Sequence, residues 1–127
     1  MIRVLLILVL SVSSAFAQSA DWLAYTNSAL TNSVQTVKGS PGPWLAYNCY
    51  NSNATQAWFQ IFDAISGVVL GTTVPKRSVP LAGLSLTGLQ LPSPPFSGAV
   101  GLQVAATSTA TGGSAPASPV YCEFYYR

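Results

Sequence analysis

Punctuation constrains this chain more than any other feature. Short runs rich in β-branched, aromatic and leucine residues are cut by clusters of glycine, proline and small polar residues, and no amphipathic helix of normal length is written anywhere. SVQTVK (residues 33–38) ends at Gly39-Ser40-Pro41-Gly42-Pro43, a strong breaker cluster. Further extended runs are read at Trp44 to Asn51, Gln56 to Asp63, Val68 to Thr73, Ser78 to Ala82, Leu84 to Leu91, Ala99 to Ser108 and Val120 to Arg127. Pro75, Pro80 and Pro92 are expected at strand ends or edges, because proline cannot donate to a ladder. Within LSLTGLQL the leucine phase changes at Gly88, which predicts a β-bulge there. About seven to eight short strands at this spacing imply an all-β fold, a single antiparallel β-sandwich of jelly-roll or immunoglobulin-like type.

Alternation assigns faces within the strands. In VYCEFYYR, Val120, Cys122, Phe124 and Tyr126 share one face, and Tyr121, Glu123, Tyr125 and Arg127 the other. In the run from Trp44, strict alternation sets Leu45, Tyr47 and Cys49 against Trp44, Ala46, Asn48 and Tyr50. On the following run Phe59 and Ile61 oppose Trp58, Gln60 and Phe62. The two runs read as a central hairpin joined by a polar turn at Asn51 to Thr55. Both faces of that hairpin carry large apolar groups, so each strand is expected to be buried on two sides, or buried on one and covered by a partner on the other. Trp44, Tyr50 and Trp58, with Tyr121 and Tyr125, are the candidate contact aromatics.

The first residues, MIRVLLILVLSVSSAFAQ, have the form of a secretory leader: Arg3 at the start, an apolar stretch, and small residues at Ala15 and Ala17. The apolar stretch falls short of the about 20 residues that a transmembrane helix needs. Cleavage is expected between Ala17 and Gln18, giving a leader (1–17), an N-terminal arm (18–32) and a sandwich domain (33–127), with no membrane attachment after cleavage. The expected location is secreted or extracellular, with the periplasm as the alternative. Cys49 and Cys122 are the chain's two cysteines, and in an oxidising compartment they are read as one disulfide. Closing so long a loop stabilises a fold by roughly 4 kcal/mol on the chain-entropy account.

Charged residues make up 6% of the sequence and hydrophobic ones 50%, so a core is available while few charges guard exposed strand edges. Outside the leader, Lys38, Lys76, Arg77 and Arg127 stand against Asp21, Asp63 and Glu123. Nucleic acid, which needs clustered cations, is excluded as a partner by that balance. Lys76-Arg77 is placed in a solvated turn beside Pro75.

The chain has no histidine, which removes the usual general base, metal ligand and activator of a serine or cysteine nucleophile. Two distant cysteines cannot supply a zinc site, and the carboxylates are too few for calcium. A glycosidase pair would have to be drawn from Asp21, Asp63 and Glu123, with no spacing that brings them into one cleft. Neither Lys38 nor Lys76 has the apolar surroundings that would activate it beside a serine. The sequence therefore predicts no catalytic residues, no cofactor and no metal. Asn53-Ala54-Thr55 fits the N-glycosylation sequon at a turn tip.

From Ser33 to the end, the order of motifs resembles a group of small proteins among tailed-phage virion components and related environmental sequences. The matching pieces are VQTVKGSPGPWLAYNCYNSNATQAWFQIFDA, VVLGTTVPKRSVPL, GAVGLQVAATSTATGGSAP and the aromatic ending FYYR. The resemblance implies a compact non-catalytic β-sandwich used for decoration or assembly, and it carries over no active-site residues. The leader and the two cysteines distinguish this chain from virion proteins assembled in the cytoplasm and fit an exported version. The expectation is thus a secreted structural or interaction subunit whose partner is protein, by self-assembly or within a larger assembly. The alternative is a carbohydrate-binding module that stacks sugar rings on exposed tryptophan and tyrosine.

Overall fold

The computed structural model describes residues 22–90 and 96–127. The expected leader, its Ala17–Gln18 cleavage site and the first residues of the arm lie outside them. Nine strands are present among the described residues: β1 (Leu23–Leu30), β2 (Gln35–Lys38), β3 (Gly42–Asn51), β4 (Ala57–Phe62), β5 (Arg77–Leu81), β6 (Ser85–Gln90), β7 (Phe96–Gly98), β8 (Leu102–Thr107) and β9 (Val120–Tyr126). They form two antiparallel sheets. One has the order β1-β9-β3-β6, with β7 also paired to β3, and the other the order β2-β8-β4-β5.

The pairing is nested. β4 pairs with β5, β3 with β6, β2 with β8 and β1 with β9, all antiparallel. Two further pairings, β3 with β9 and β4 with β8, join this long folded ribbon into two sheets. Apart from the short β7, that is the wound ribbon of a jelly roll, which selects between the two sandwich types left open by the sequence. Residues 23–30, expected to lie in an arm, form an outer strand of the five-stranded sheet.

The hairpin expected from Ala46 to Asp63 is not formed. β3 and β4 belong to opposite sheets, and the Asn51–Gln56 segment between them is an arch across one end of the sandwich. Asn51 decides this. Its buried amide donates to the carbonyls of Thr55 (3.0 Å) and Leu81 (3.0 Å), while its Oδ1 accepts from the backbone N–H (3.0 Å) and the amide (2.7 Å) of Asn53. A second arch, from β5 to β6, lies against the first: Leu84 N–H donates to Asn53 O at 2.9 Å. A Cβ on Gly83 would sit 2.3 Å from Ala54 O, so only glycine permits this approach. Leu84 itself takes a positive φ of 53° at the exit of the second arch.

The core lies between the sheets. Tyr47, Cys49, Cys122 and Phe124 from one meet Ala57, Phe59, Ile61, Val79, Leu81, Val104 and Ala106 from the other. Phe59 bridges them, with ring centroids 5.6 Å from Tyr47 and 6.0 Å from Phe124. Cys49 and Cys122 are directly opposed on β3 and β9 and form the expected disulfide, Cα atoms 4.1 Å apart. The bond therefore staples one of the two pairings that wrap the ribbon into a sheet. It fits an oxidising environment. Among the described residues no helix is long and apolar enough to cross a membrane.

Other local expectations diverge. Val68 to Thr73 is a turn, with Thr72 and Thr73 N–H both donating to Val69 O and Gly71 at φ 81°, rather than a strand. β3 and β6 keep one register through Gly88, so the leucine phase change produces no bulge there. The bulges fall elsewhere, at Leu45 against β9, at Val37 against β8 and at Ser28–Ala29 against β9. Pro80 sits on β5, an outer strand, as expected of a proline in a sheet.

Candidate functional site

The sandwich has two outer faces, and the chain treats them differently. On the four-stranded sheet, alternation turns Trp58, Gln60 and Phe62 outward from the core, yet Gln60 and Phe62 are fully buried. The chain's own loops cover them. The Gln60 amide donates to Thr107 Oγ1 (2.9 Å) and lies within 3.1 Å of the carbonyls of Thr109, Ala110 and Gly112, tying the 108–113 loop down over β4. Gln103 on β8 does the same for another loop, reaching Thr36 Oγ1 at 2.8 Å and Ile65 O at 3.3 Å. Such buried amides fix a loop because each lost bond would leave an orphaned polar group. Of the two expected alternatives, β4 follows burial on both sides at Gln60 and Phe62.

The outer face of the five-stranded sheet has no such cover among the described residues. Direct pairing places Leu86 of β6, Tyr50 of β3 and Tyr121 of β9 in one row. The next row holds Gly88, Asn48, Glu123 and Thr26, and a third holds Ala46, Tyr125 and Ala24. Leu86 is 69% exposed and Tyr50 43%. Glu123 is the centre: the hydroxyls of both Tyr121 and Tyr125 donate to its carboxylate, the latter at 3.1 Å. Those bonds to an anion hold both phenols above their ordinary pKa, since losing the proton would break the bond and set two negative charges together. A Cβ on Gly88 would lie 2.3 Å from Asn48 Oδ1, so the missing side chain leaves room for the Asn48 amide to lie over β6.

The five candidate aromatics therefore divide. Tyr50, Tyr121 and Tyr125 share this open face. Trp44 does not join them: it is 1% exposed and packs edge-on against Phe124, centroids 6.2 Å apart. The cause is the bulge at Leu45, which shifts the register between Trp44 and Ala46 and turns Trp44 onto the core side, where strict alternation would have turned it out. Trp58, half-buried, lies on the far sheet between Pro80 and Thr107. A Trp44–Tyr50–Trp58 stacking platform is not assembled.

The chain matches no family model, no curated protein and no solved structure.

The remaining polar groups are engaged in holding the fold. Asp63, just past β4, accepts from the backbone N–H groups of Ala99 (2.9 Å), Val100 (2.9 Å) and Gly101 (3.3 Å), and pairs with Lys76 at 2.9 Å. Burial works to raise its pKa, but the amides of Ala99 and Val100, then Lys76 and Gly101, outweigh it and hold the carboxyl well below the usual range. Glu123 lies on β9 of the five-stranded sheet, whereas Asp63 follows β4 of the other sheet. Among the described residues no three of His, Cys, Asp and Glu lie together as metal ligands. Lys76, expected to be solvated, is exposed but engaged by Asp63. Asn53, expected at an exposed turn tip, is buried, its Nδ2 donating to Asn51 Oδ1 (2.7 Å) and Ser118 O (3.0 Å) and its Oδ1 accepting from Ser118 N–H. Sequence reading passed over Asn51, Gln60 and Gln103. For Gln60 and Gln103 the signal is a polar residue between large apolar ones, as in Trp58-Phe59-Gln60-Ile61-Phe62; Asn51, followed by Ser52 and Asn53, carries no such signal.

Proposed function

We propose that this chain is an exported, non-catalytic structural or interaction subunit, comparable in role to a virion-decoration or surface-assembly protein, that docks through the outer face of the five-stranded sheet. The observation that carries the reading is the contrast between the two outer faces. One is covered at Gln60 and Phe62, where the chain's own loops are tied down through buried glutamines, while the other leaves Tyr50 and Leu86 in the open beside Tyr121 and Tyr125. Tyrosine is favoured at interfaces because its ring buries area at small entropic cost and its hydroxyl keeps a polar partner. The disulfide supports export, as does the leader-like start of the sequence. The jelly-roll topology does not decide between roles, since one fold serves many.

Light scattering on the chromatographed chain over a wide concentration range tests this reading. Reversible association is expected, and it should weaken in a Tyr50→Lys/Leu86→Lys variant that keeps its fold. A wild-type chain that stays monomeric throughout contradicts self-assembly.

Carbohydrate binding is the second reading, and one observation favours it. Glu123 offers a carboxylate to sugar hydroxyls between two tyrosine rings on the same strand face. Retention on insoluble polysaccharides, lost in Tyr121→Ala and Tyr125→Ala but kept in Trp58→Ala, would establish it in place of the first.

A further inference from the structure

The two open sheets have five outer strands, β1, β6 and β7 in one and β2 and β5 in the other, and among the described residues each has one edge without a neighbouring strand. Soluble proteins blunt such rows with proline, charge, bulges or very short strands. Two are guarded by proline or charge, β7 is only three residues long, and the remaining two, β6 and β1, differ in continuity. β5 carries Pro80 and Arg77 in five residues; β2 has four residues, ends in Lys38 and is bulged at Val37; β6 is interrupted by Gly88, which weakens a strand interior. β1, LAYTNSAL, contains no proline, no glycine and no charge.

β1 pairs with β9 in continuous register from Leu23↔Tyr126 to Asn27↔Cys122. Beyond that, Ser28 and Ala29 bulge out opposite Tyr121, the bulge held by Ala29 N–H donating to Asn27 Oδ1 at 2.9 Å. The straight, unguarded run is therefore Leu23 to Asn27. At its start Leu23 is 54% exposed, beside the partly exposed Trp22, whose ring lies 5.6 Å beneath the Arg127 guanidinium. Main-chain donors and acceptors and a small apolar group thus stand together on one edge.

We propose that the free edge of β1 pairs antiparallel with β1 of a second copy, forming a closed two-fold dimer with one sheet continuous across both. The proposal rests on the assembly reading above and names its partner as the chain itself. An antiparallel two-fold sets a strand against its own sequence, so the run must be compatible with itself. With the axis at Tyr25, Leu23 faces Asn27 of the second copy, Ala24 faces its Thr26, and the two Tyr25 residues face each other. No like charges meet in this register, and the two Tyr25 rings form an aromatic cross-strand pair. Because the two-fold uses up the edge, growth stops at two copies.

Ala24 and Thr26 are exposed on the outer side of the edge and suit the test. With the docking face silenced by Tyr50→Lys/Leu86→Lys, sedimentation equilibrium of the leader-free, disulfide-bonded chain should show a monomer–dimer equilibrium and nothing larger. In A24K/T26K the introduced charges oppose one another twice across the two-fold, and dimerisation should weaken by about tenfold or more. In A24E/T26K the same positions become complementary in the proposed register, and dimerisation should stay within about threefold of wild type. Near-ultraviolet circular dichroism and thiol titration confirm that both variants are folded. A monomer at every concentration overturns both the edge pairing and the self-assembly reading beneath it. Association that persists in A24K/T26K but is lost in Tyr50→Lys/Leu86→Lys overturns the edge alone and leaves the docking face standing. Species larger than a dimer in the Tyr50→Lys/Leu86→Lys variant overturn the closed two-fold.

Discussion

Replacing Asp63 with asparagine removes the charge from a carboxylate that joins three parts of the chain. Asp63 follows β4, its backbone donors come from Ala99, Val100 and Gly101 between β7 and β8, and Lys76 precedes β5. Hydrogen bonds to a charged group contribute about 1.5–3 kcal/mol each, but donors sharing one carboxylate do not add fully. The Lys76 contribution must be discounted further, because that side chain is 37% exposed and solvent screens the pair. Asparagine keeps one acceptor oxygen and turns an N–H donor towards one of the backbone donors. A loss of about 2–3 kcal/mol at neutral pH follows. The sign of the pH dependence is fixed by the depressed pKa. The folded state holds the carboxylate more tightly than the unfolded chain does, so this stability is present above the unfolded value of about 3.9 and is lost as pH falls below it towards the folded pKa. Urea unfolding with the disulfide intact, at about pH 7 and about pH 2.5, measures both. Wild type should lose stability on acidification and Asp63→Asn should lose much less, so that the two curves converge. Lys76→Met at pH 7 should cost less than about 1 kcal/mol, separating the exposed ion pair from the backbone donors. A variant within about 0.5 kcal/mol of wild type at pH 7, or a gap unchanged between the two pH values, would refute this account of the carboxylate.

The remaining predictions concern the core and the arches. Cys49→Ser/Cys122→Ser should lower unfolding free energy by roughly 4 kcal/mol, measured by urea titration, because the bond closes a 73-residue separation. Trp44→Ala should cost about 3–5 kcal/mol, as deletion of a fully buried aromatic does, whereas Trp58→Ala on the half-buried outer face should cost about 1–2 kcal/mol; thermal melts order the two. Asn53→Ala should cost about 2–3 kcal/mol by stranding the Ser118 backbone N–H and C=O and removing one of the two donors to Asn51 Oδ1. For the same reason, chain secreted through a eukaryotic host and isolated folded should carry no glycan at Asn53, which intact-mass measurement checks directly.

What the sequence made legible follows from period and punctuation. The alternation of VYCEFYYR reads correctly because β9 is paired on both sides and, against β3, keeps a straight register from Ala46↔Tyr125 onward. The Cys49–Cys122 bond was legible from compartment chemistry alone. Trp44 was misread because a bulge inverts the alternation, and nothing in Gly-Pro-Trp-Leu-Ala separates a bulged strand from a straight one. The false hairpin has a different cause. A polar segment between two extended runs is equally compatible with a turn within a sheet and with an arch between sheets. Here the arch is set by Asn51 reaching Leu81 O and Ala82 O, contacts that do not exist until β5 is in place. The open tyrosine face was half legible. Tyr50, Tyr121 and Tyr125 could be assigned outward, but not the intramolecular sealing of the opposite sheet, which depends on Gln60 meeting carbonyls about fifty residues later in the chain.

The same two strands carry the disulfide and the candidate face, and the two are coupled by the pleat. Cys49 and Cys122 point into the core, and the next pair along, Tyr50 and Tyr121, points out. A period of two means that fixing the register of the cysteines fixes the register of the tyrosines, with Glu123 following on the same strand. β3–β9 is also one of the pairings that wraps the ribbon, and it joins segments far apart in sequence, so it is costly to form and valuable to hold. A covalent tie at this point does more than add stability. It keeps a weakly charged face in one register in a chain that has few charges to specify register otherwise.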